Sequence, residues 1–200
     1  MTHDATEADP RLRWREVVSV VRSEAPLVHC LTATVSMGLV ADGLLAAGAR
    51  PMMTETRAEV ALGPCVIRGN ASEVLVLAAS GEGGRGADST ASSDAAAGPA
   101  GELARRTGAV VAVSGAVDVV TDGLTTATLA GGTPLLTRVT GTGCLLGALT
   151  AACAAVTDPL SAAIAASTWL KSAGAQAAQH AAGPGTFRVQ LLDALDTVAR

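Results

Sequence analysis

An apolar run, TPLLTRV, leads into Thr140-Gly141-Thr142-Gly143-Cys144 and then into the helical pattern LLGALTAACAAV. Glycines let backbone approach a ligand closely, and the unpaired amides of a first helical turn, reinforced by the helix dipole, favour a phosphate or an oxyanion. Cys144 falls at that helix start, where a thiol has a lowered pKa and its sulfur can serve as base or nucleophile near neutral pH. The same spacing describes a tight strand-to-helix turn holding a small buried cysteine, and spacing alone does not choose between the two. Cys153, nine residues further on, reads as core.

IRGNASE over 67–73 gathers a cation, a turn and a carboxylate. Arg68 suits a phosphate, Asn70 and Ser72 suit capping, and Glu73 suits a metal ion or its water. An N-capped helix with surface charges fits those letters equally. VSGAVDVVTDG over 113–123 puts Ser114 and Asp118 at strand ends, and it also describes a plain hairpin. GEGGRG over 81–86 has the letters of a dinucleotide fingerprint but lies in a low-complexity stretch with no following βαβ unit, so it is not taken as a nucleotide site. There is no P-loop lysine motif. His3, His29 and His180 are scattered, which gives no metal triad and leaves His29 as a satisfied, partly buried histidine. The cysteines Cys30, Cys65, Cys144 and Cys153 form no CxxC pair, which points to free thiols in a reducing compartment.

These groups must be positioned by the elements around them. Helical spacing from Trp14 to Val21 ends near Pro26, and LVHCLT reads as a short buried strand. SMGLVADGLLAAGA predicts a helix with Met37, Val40, Leu44 and Leu45 on one face, Ser36 as N-cap and Gly48 at its end, before PMMTE resumes a strand. CVIRGN predicts another strand and Ala71 to Ala79 a helix. Gly81 to Gly101, rich in Gly, Ser, Ala and Asp, predicts a surface loop entering a helix over Glu102 to Thr107. GAVVAVSG, VDVVTDG, TTATLAG and TPLLTRV read as strands, and three helices follow: Cys144 to Val156, Pro159 to Ala181 and Phe187 to Ala199. The alternation predicts an α/β architecture with a largely parallel sheet and ligands at the carboxyl ends of its strands.

Two hundred residues suit a single domain, and 49% apolar with 16% charged residues suits a packed core. With one Phe, two Trp and no Tyr, that core is built from Ala, Val and Leu. A net charge of −4 and few aromatic side chains argue against a nucleic-acid surface. The opening MTHDATEADPRLRWR lacks the apolar centre of a signal peptide, and no run is long enough for a membrane span, so a soluble cytoplasmic protein is expected.

Taken in order, four segments resemble hydroxyethylthiazole kinase, a thiamine-salvage family within the ribokinase-like superfamily. They are PLVHCLTATVSMGLVADGLLAAGARPMM, VIRGNASEV, VAVSGAVDVVTDG and PLLTRVTGTGCLLGAL, and the tail from PLSAAIAAS through GPGTFRVQLLDAL is similar to the family's closing helices. The resemblance implies a three-layer α/β/α fold. It also implies transfer of the ATP γ-phosphoryl to the hydroxyl of 4-methyl-5-(2-hydroxyethyl)thiazole, with Mg²⁺, in a homotrimer. By the same resemblance Cys144 is the catalytic cysteine that deprotonates or orients the alcohol, and Gly141 and Met53 contact the thiazole. Arg68 and Ser114 contact ATP, and Glu73 lies near the magnesium and phosphates.

The chain departs from the family between Val60 and Arg68, where about two βα units of the usual size have no counterpart. With them goes the family's Asp-Pro-Val-Gly strand end, whose Asp partners the Glu73 position at the metal. Ala33 and Gly38 stand where the family usually has Asn, and Ala116 where it often has Glu. A catalytically degenerate remnant that binds ligand or forms oligomers is the alternative these departures leave open.

Overall fold

The computed structural model describes residues 13–54, 65–79 and 92–200. The GEGGRG segment, His3 and the chain around Val60 lie outside the described residues.

Helix α1 (Trp14–Glu24) forms because Trp14, Val18 and Val21 recur on one face and are buried there. It closes at Ala25, whose left-handed backbone lets its N–H reach the Val21 carbonyl, and Pro26 turns the chain into β1 (Leu27–Leu31). After a 3-10 turn at Thr34–Ser36 comes α2 (Met37–Ala47), then β2 (Arg50–Thr54), parallel to β1 with Cys30 opposite Met53. The buried stripe of α2 is Leu39, Val40, Gly43, Leu44 and Ala47. Leu45, expected on that stripe, is 62% exposed, because the close approach to Leu145 is made through Gly43 instead.

The second half contains β3 (Val66–Asn70), α3 (Ala71–Ala79), α4 (Ser93–Thr107), β4 (Val110–Ser114), β5 (Asp118–Thr121) and β6 (Thr126–Leu129). Its sheet runs β3-β4-β5-β6, with β3 and β4 parallel and the β4-β5-β6 part an antiparallel meander. Three helices close the chain: α5 (Thr142–Ala154), α6 (Pro159–Ala178) and α7 (Pro184–Thr197).

The expected three layers are present around this second sheet. Val111, Val113 and Val119 pack on Ala96, Ala100 and Leu103 of α4, while Val110, Ala112 and Val120 on the other face pack on Ala163 and Ile164 of α6. The opposite side of α6 carries Ala166, Trp169 and Ala173 into a larger core with α1, α2, α5 and α7. Helix α6 is therefore the spine between two bodies, and its alanines let neighbours approach on every side. The β1–β2 pair is a separate two-stranded sheet. Val28 and Cys30 face the larger core, whereas Leu27, Leu31 and Met52 are exposed on the outer face.

Three local expectations are corrected. TPLLTRV is not a strand: Pro134–Arg138 is a 3-10 helix, set up by Pro134 at its start and by the Thr133 hydroxyl accepting from the Leu135 N–H. The Gly/Ser/Ala-rich stretch is helical from Ser93, because Ser92 caps the Ala95 N–H and the buried Ala96, Ala100, Leu103 and Ala104 outweigh the penalty of Pro99. His29 is on the exposed face of β1 rather than partly buried.

Candidate active site

The turn before α5 is built by Gly141, whose φ of 94° favours glycine. A Cβ there would lie 3.3 Å from the Ser36 side chain, so the position is closed sterically as well. The first bond of the helical ladder runs from the Leu145 N–H to the Gly141 carbonyl at 2.8 Å. The amides of Thr142, Gly143 and Cys144 therefore stand outside the ladder at the positive end of the dipole. The Thr142 hydroxyl donates to Leu136 O at 2.8 Å and to Val139 O at 3.2 Å, fastening the helix start to the 3-10 turn.

Cys144, at the third helical position, is exposed to solvent. Hydrogen bonds from the Ser36 hydroxyl, then from Thr32, hold its thiol below the ordinary cysteine range against partial burial, and the Arg68 charge adds to them. Cys153 contrasts in every respect, being fully buried with a pKa pushed up to about 12 by desolvation. All four cysteines are free. Replacing Ser36 by Ala removes the leading donor, so the inflection of Cys144 alkylation against pH will move upward and its iodoacetamide rate near neutral pH will fall. Peptide mapping, which separates Cys144 from the exposed Cys65, checks this.

Arg68 joins the two bodies. On β3, its guanidinium donates through Nη1 to Gly143 O at 3.0 Å and through Nη2 to Ser114 Oγ, which in turn donates to Gly69 O at 3.2 Å. Its Nε is buried without a partner. Burial pulls Arg68 below the ordinary arginine value, opposed by Asp118, Glu73 and Cys144. Asn70 and Glu73 form a reciprocal cap at the start of α3: Asn70 N–H donates to Glu73 Oε2 at 2.7 Å and Glu73 N–H donates to Asn70 Oδ1 at 2.9 Å. The capped-helix reading of IRGNASE thus describes its local geometry, with Glu73 also facing a cavity.

That cavity has a volume of about 710 Å³, within the range of small-molecule sites of about 300–1,000 Å³. Arg68, Glu73, Ser114 and Cys144 all line it. Gly141 is immediately behind the lining as the N-cap of α5. Met53 is not among the lining residues and packs, half-buried, against the larger core.

One further residue lining the cavity, Lys171, escaped the sequence reading, and Asp118, noted there only as a strand-end residue, is its partner. Lys171 on α6 pairs with Asp118 at 3.2 Å. Asp118 is raised above the usual carboxylate range by burial, offset by the Gly115 N–H and by Lys171. The available signal was composition: Lys171 is the sole lysine of the chain, set in an alanine-rich helix.

The layered α/β fold brings a glycine-started helix with free amides, an arginine and a thiol of lowered pKa to one cavity, the equipment of a protein that handles a phosphorylated small molecule. The sequence model of the Hydroxyethylthiazole kinase family matches residues 18–62 and 61–200. A hydroxyethylthiazole kinase of Gemmatimonas aurantiaca is 36% identical over 249 positions, covering 94% of this chain and 90% of the relative. One of Kineococcus radiotolerans is 40% identical over 241 positions, covering 90% and 88%. The solved structure of hydroxyethylthiazole kinase from Pyrococcus horikoshii superimposes with a TM-score of 0.80 at 30% identity, covering 92% of this chain and 93% of that one. The chain belongs to the hydroxyethylthiazole kinase family. The family match falls in two pieces meeting at residues 61–62, and the first alignment is longer than the chain itself, so the relatives carry internal residues with no counterpart here. That agrees with the short connection between β2 and β3 and with the separation of the two sheets.

Proposed function

We propose that this chain, as a single kinase domain, transfers the γ-phosphoryl of ATP to the hydroxyl of 4-methyl-5-(2-hydroxyethyl)thiazole. The observation that carries the reading is the Arg68–Gly143 bond, which brings the anion-binding start of α5 and the cationic end of β3 to one cavity beside Cys144. Phosphoryl transfer is chiefly positioning and stabilisation of spread negative charge. The amides of α5 and the Arg68 guanidinium supply that stabilisation, and Ser114 holds the guanidinium in place. The Cys144 sulfur takes the proton of the acceptor alcohol as its oxygen bonds to the γ-phosphorus, and the bond from that phosphorus to the bridging oxygen breaks to release ADP. Gly141 sets the helix start, and the contact of Met53 with the thiazole rests on the family resemblance alone.

The donor set suits Mg²⁺ held mainly by phosphates and water. Among the described residues no three His, Cys, Asp or Glu side chains cluster, and Glu73 has one carboxylate oxygen committed to its helix cap and one left. When bound, the ion neutralises charge developing on the phosphates. No helix of the described residues is long and apolar enough to cross a membrane. A cytoplasmic homotrimer is the setting the resemblance implies.

The test is incubation of the purified chain with ATP, the thiazole alcohol and millimolar Mg²⁺, followed by phosphorus NMR. Appearance of the thiazole phosphate with ADP is expected. A folded sample that binds either ligand without forming product would overturn the reading in favour of the remnant.

A further inference from the structure

Lys171 stands where three chain segments meet at the cavity. Its ammonium donates to Gly115 O at 3.3 Å and Ala116 O at 3.2 Å in the β4–β5 turn, and to Gly131 O at 3.3 Å in the loop after β6. It also pairs with Asp118, whose Oδ1 accepts from the Gly115 N–H at 2.9 Å. Both residues are buried, Lys171 at 8% and Asp118 at 5% exposure. The stem of Lys171 is itself fitted to the loop: Gly132, at φ 85°, has room for no Cβ without coming within 3.2 Å of Lys171 Cγ. Gly115, Ala116, Gly131 and Gly132 all line the cavity together with Ser114.

We infer that Lys171 is a positioning residue for the nucleotide: with Asp118 it locks the Gly115–Ala116 turn and the Gly131–Gly132 loop into one rigid wall of the cavity. The choice of residue follows from chemistry. A compact ammonium with three rotatable donors can serve carbonyls arriving from two loops, whereas the planar fork of an arginine cannot. The chain uses arginine at its other 13 basic positions, so the one lysine marks a site where a fork does not fit. Among the described residues Lys171 is the α6 side chain that hydrogen-bonds these two loops, and the antiparallel β5–β6 ladder ends at Leu129, before Gly131.

This inference rests on the kinase reading for its kinetic outcome, and it has a second readout that does not. Lys171→Met alone leaves Asp118 buried without its partner and invites unfolding, so the double variant Lys171→Met with Asp118→Asn, which removes both charges, is tested beside Lys171→Arg. The double variant is expected to raise KM for ATP about ten- to a hundredfold while KM for the thiazole alcohol is unchanged and kcat stays within about threefold. Lys171→Arg is expected to fall between it and the unaltered chain. Hydrogen exchange at residues 115–116 and 131–132 should quicken together in the double variant, with α1 and α7 unaffected. An unchanged KM for ATP in a folded variant, or equal losses in every kinetic constant, would overturn the inference. If the unaltered chain turns over no substrate, the kinase reading fails instead, and the exchange result decides the wall: unaltered exchange at either loop overturns it.

Discussion

Cys144→Ala will lower kcat by about 100-fold with KM for ATP little changed, as expected for loss of a positioned proton acceptor. The side chain is exposed at the third position of α5, where alanine keeps the helix, so the fold should survive and the loss can be assigned to chemistry. The pH dependence separates the roles of the sulfur. Since Ser36 and Thr32 hold its pKa below the ordinary cysteine value, the thiolate fraction grows as pH rises through that lowered pKa and then saturates. A rising limb of kcat/KM at that pH is expected in the unaltered chain and absent from the variant. Steady-state assays across pH check both. An alanine variant with full turnover would remove the sulfur from the reaction.

Arg68→Lys will lower kcat/KM for ATP by about 100-fold, near the loss seen when one preorganised donor to a developing charge is removed. Lysine is the informative replacement because it preserves the charge. The native guanidinium holds Gly143 O with one nitrogen and Ser114 Oγ with the other, and a single ammonium cannot span both segments. KM for ATP should therefore rise even though the cation remains. Circular dichroism will show whether the fold is retained, and retention of full activity would mean that charge without bidentate geometry suffices.

Much of this site could be read from letters adjacent in sequence. The glycine at 141 announced a backbone turn and Asn70 a helix cap, because both depend on interactions spanning three or four residues, whereas Glu73, read as a metal group, turned out to be the other half of that cap. The α3 boundaries at Ala71 and Ala79 followed from the same local signals. What escaped depends on the third dimension. Ser36 reaches Cys144 across 108 positions, and nothing at either place announces the other. Lys171 meets Gly115, Ala116 and Gly131 only because α6 packs across the sheet. The strand expected over TPLLTRV failed for a different reason: its apolar letters suit either state, and Pro134 with the Thr133 cap decided for a tight helix. Ser93 to Gly101 looked unstructured because Pro99 and two glycines lower helix propensity, while burial of Ala96 and Ala100 more than restores it.

The division of the strands into two sheets bears on how donor and acceptor stay in line. The sulfur rides on α5 with the larger core, and the guanidinium rides on β3 with the smaller one; among the described residues no hydrogen-bonded ladder connects them. Their alignment is left to the packing of α6, flanked on both sides by alanine methyls, to the Arg68–Gly143 bond, and to Lys171, which ties α6 to the β4–β5 turn. Packed helices slip past each other by small shears where paired strands are held in step. Reaction geometry in this protein thus depends on how α6 packs between the two bodies, so alanines of that helix such as Ala163 and Ala166, which do not line the cavity, bear on the alignment of sulfur and guanidinium.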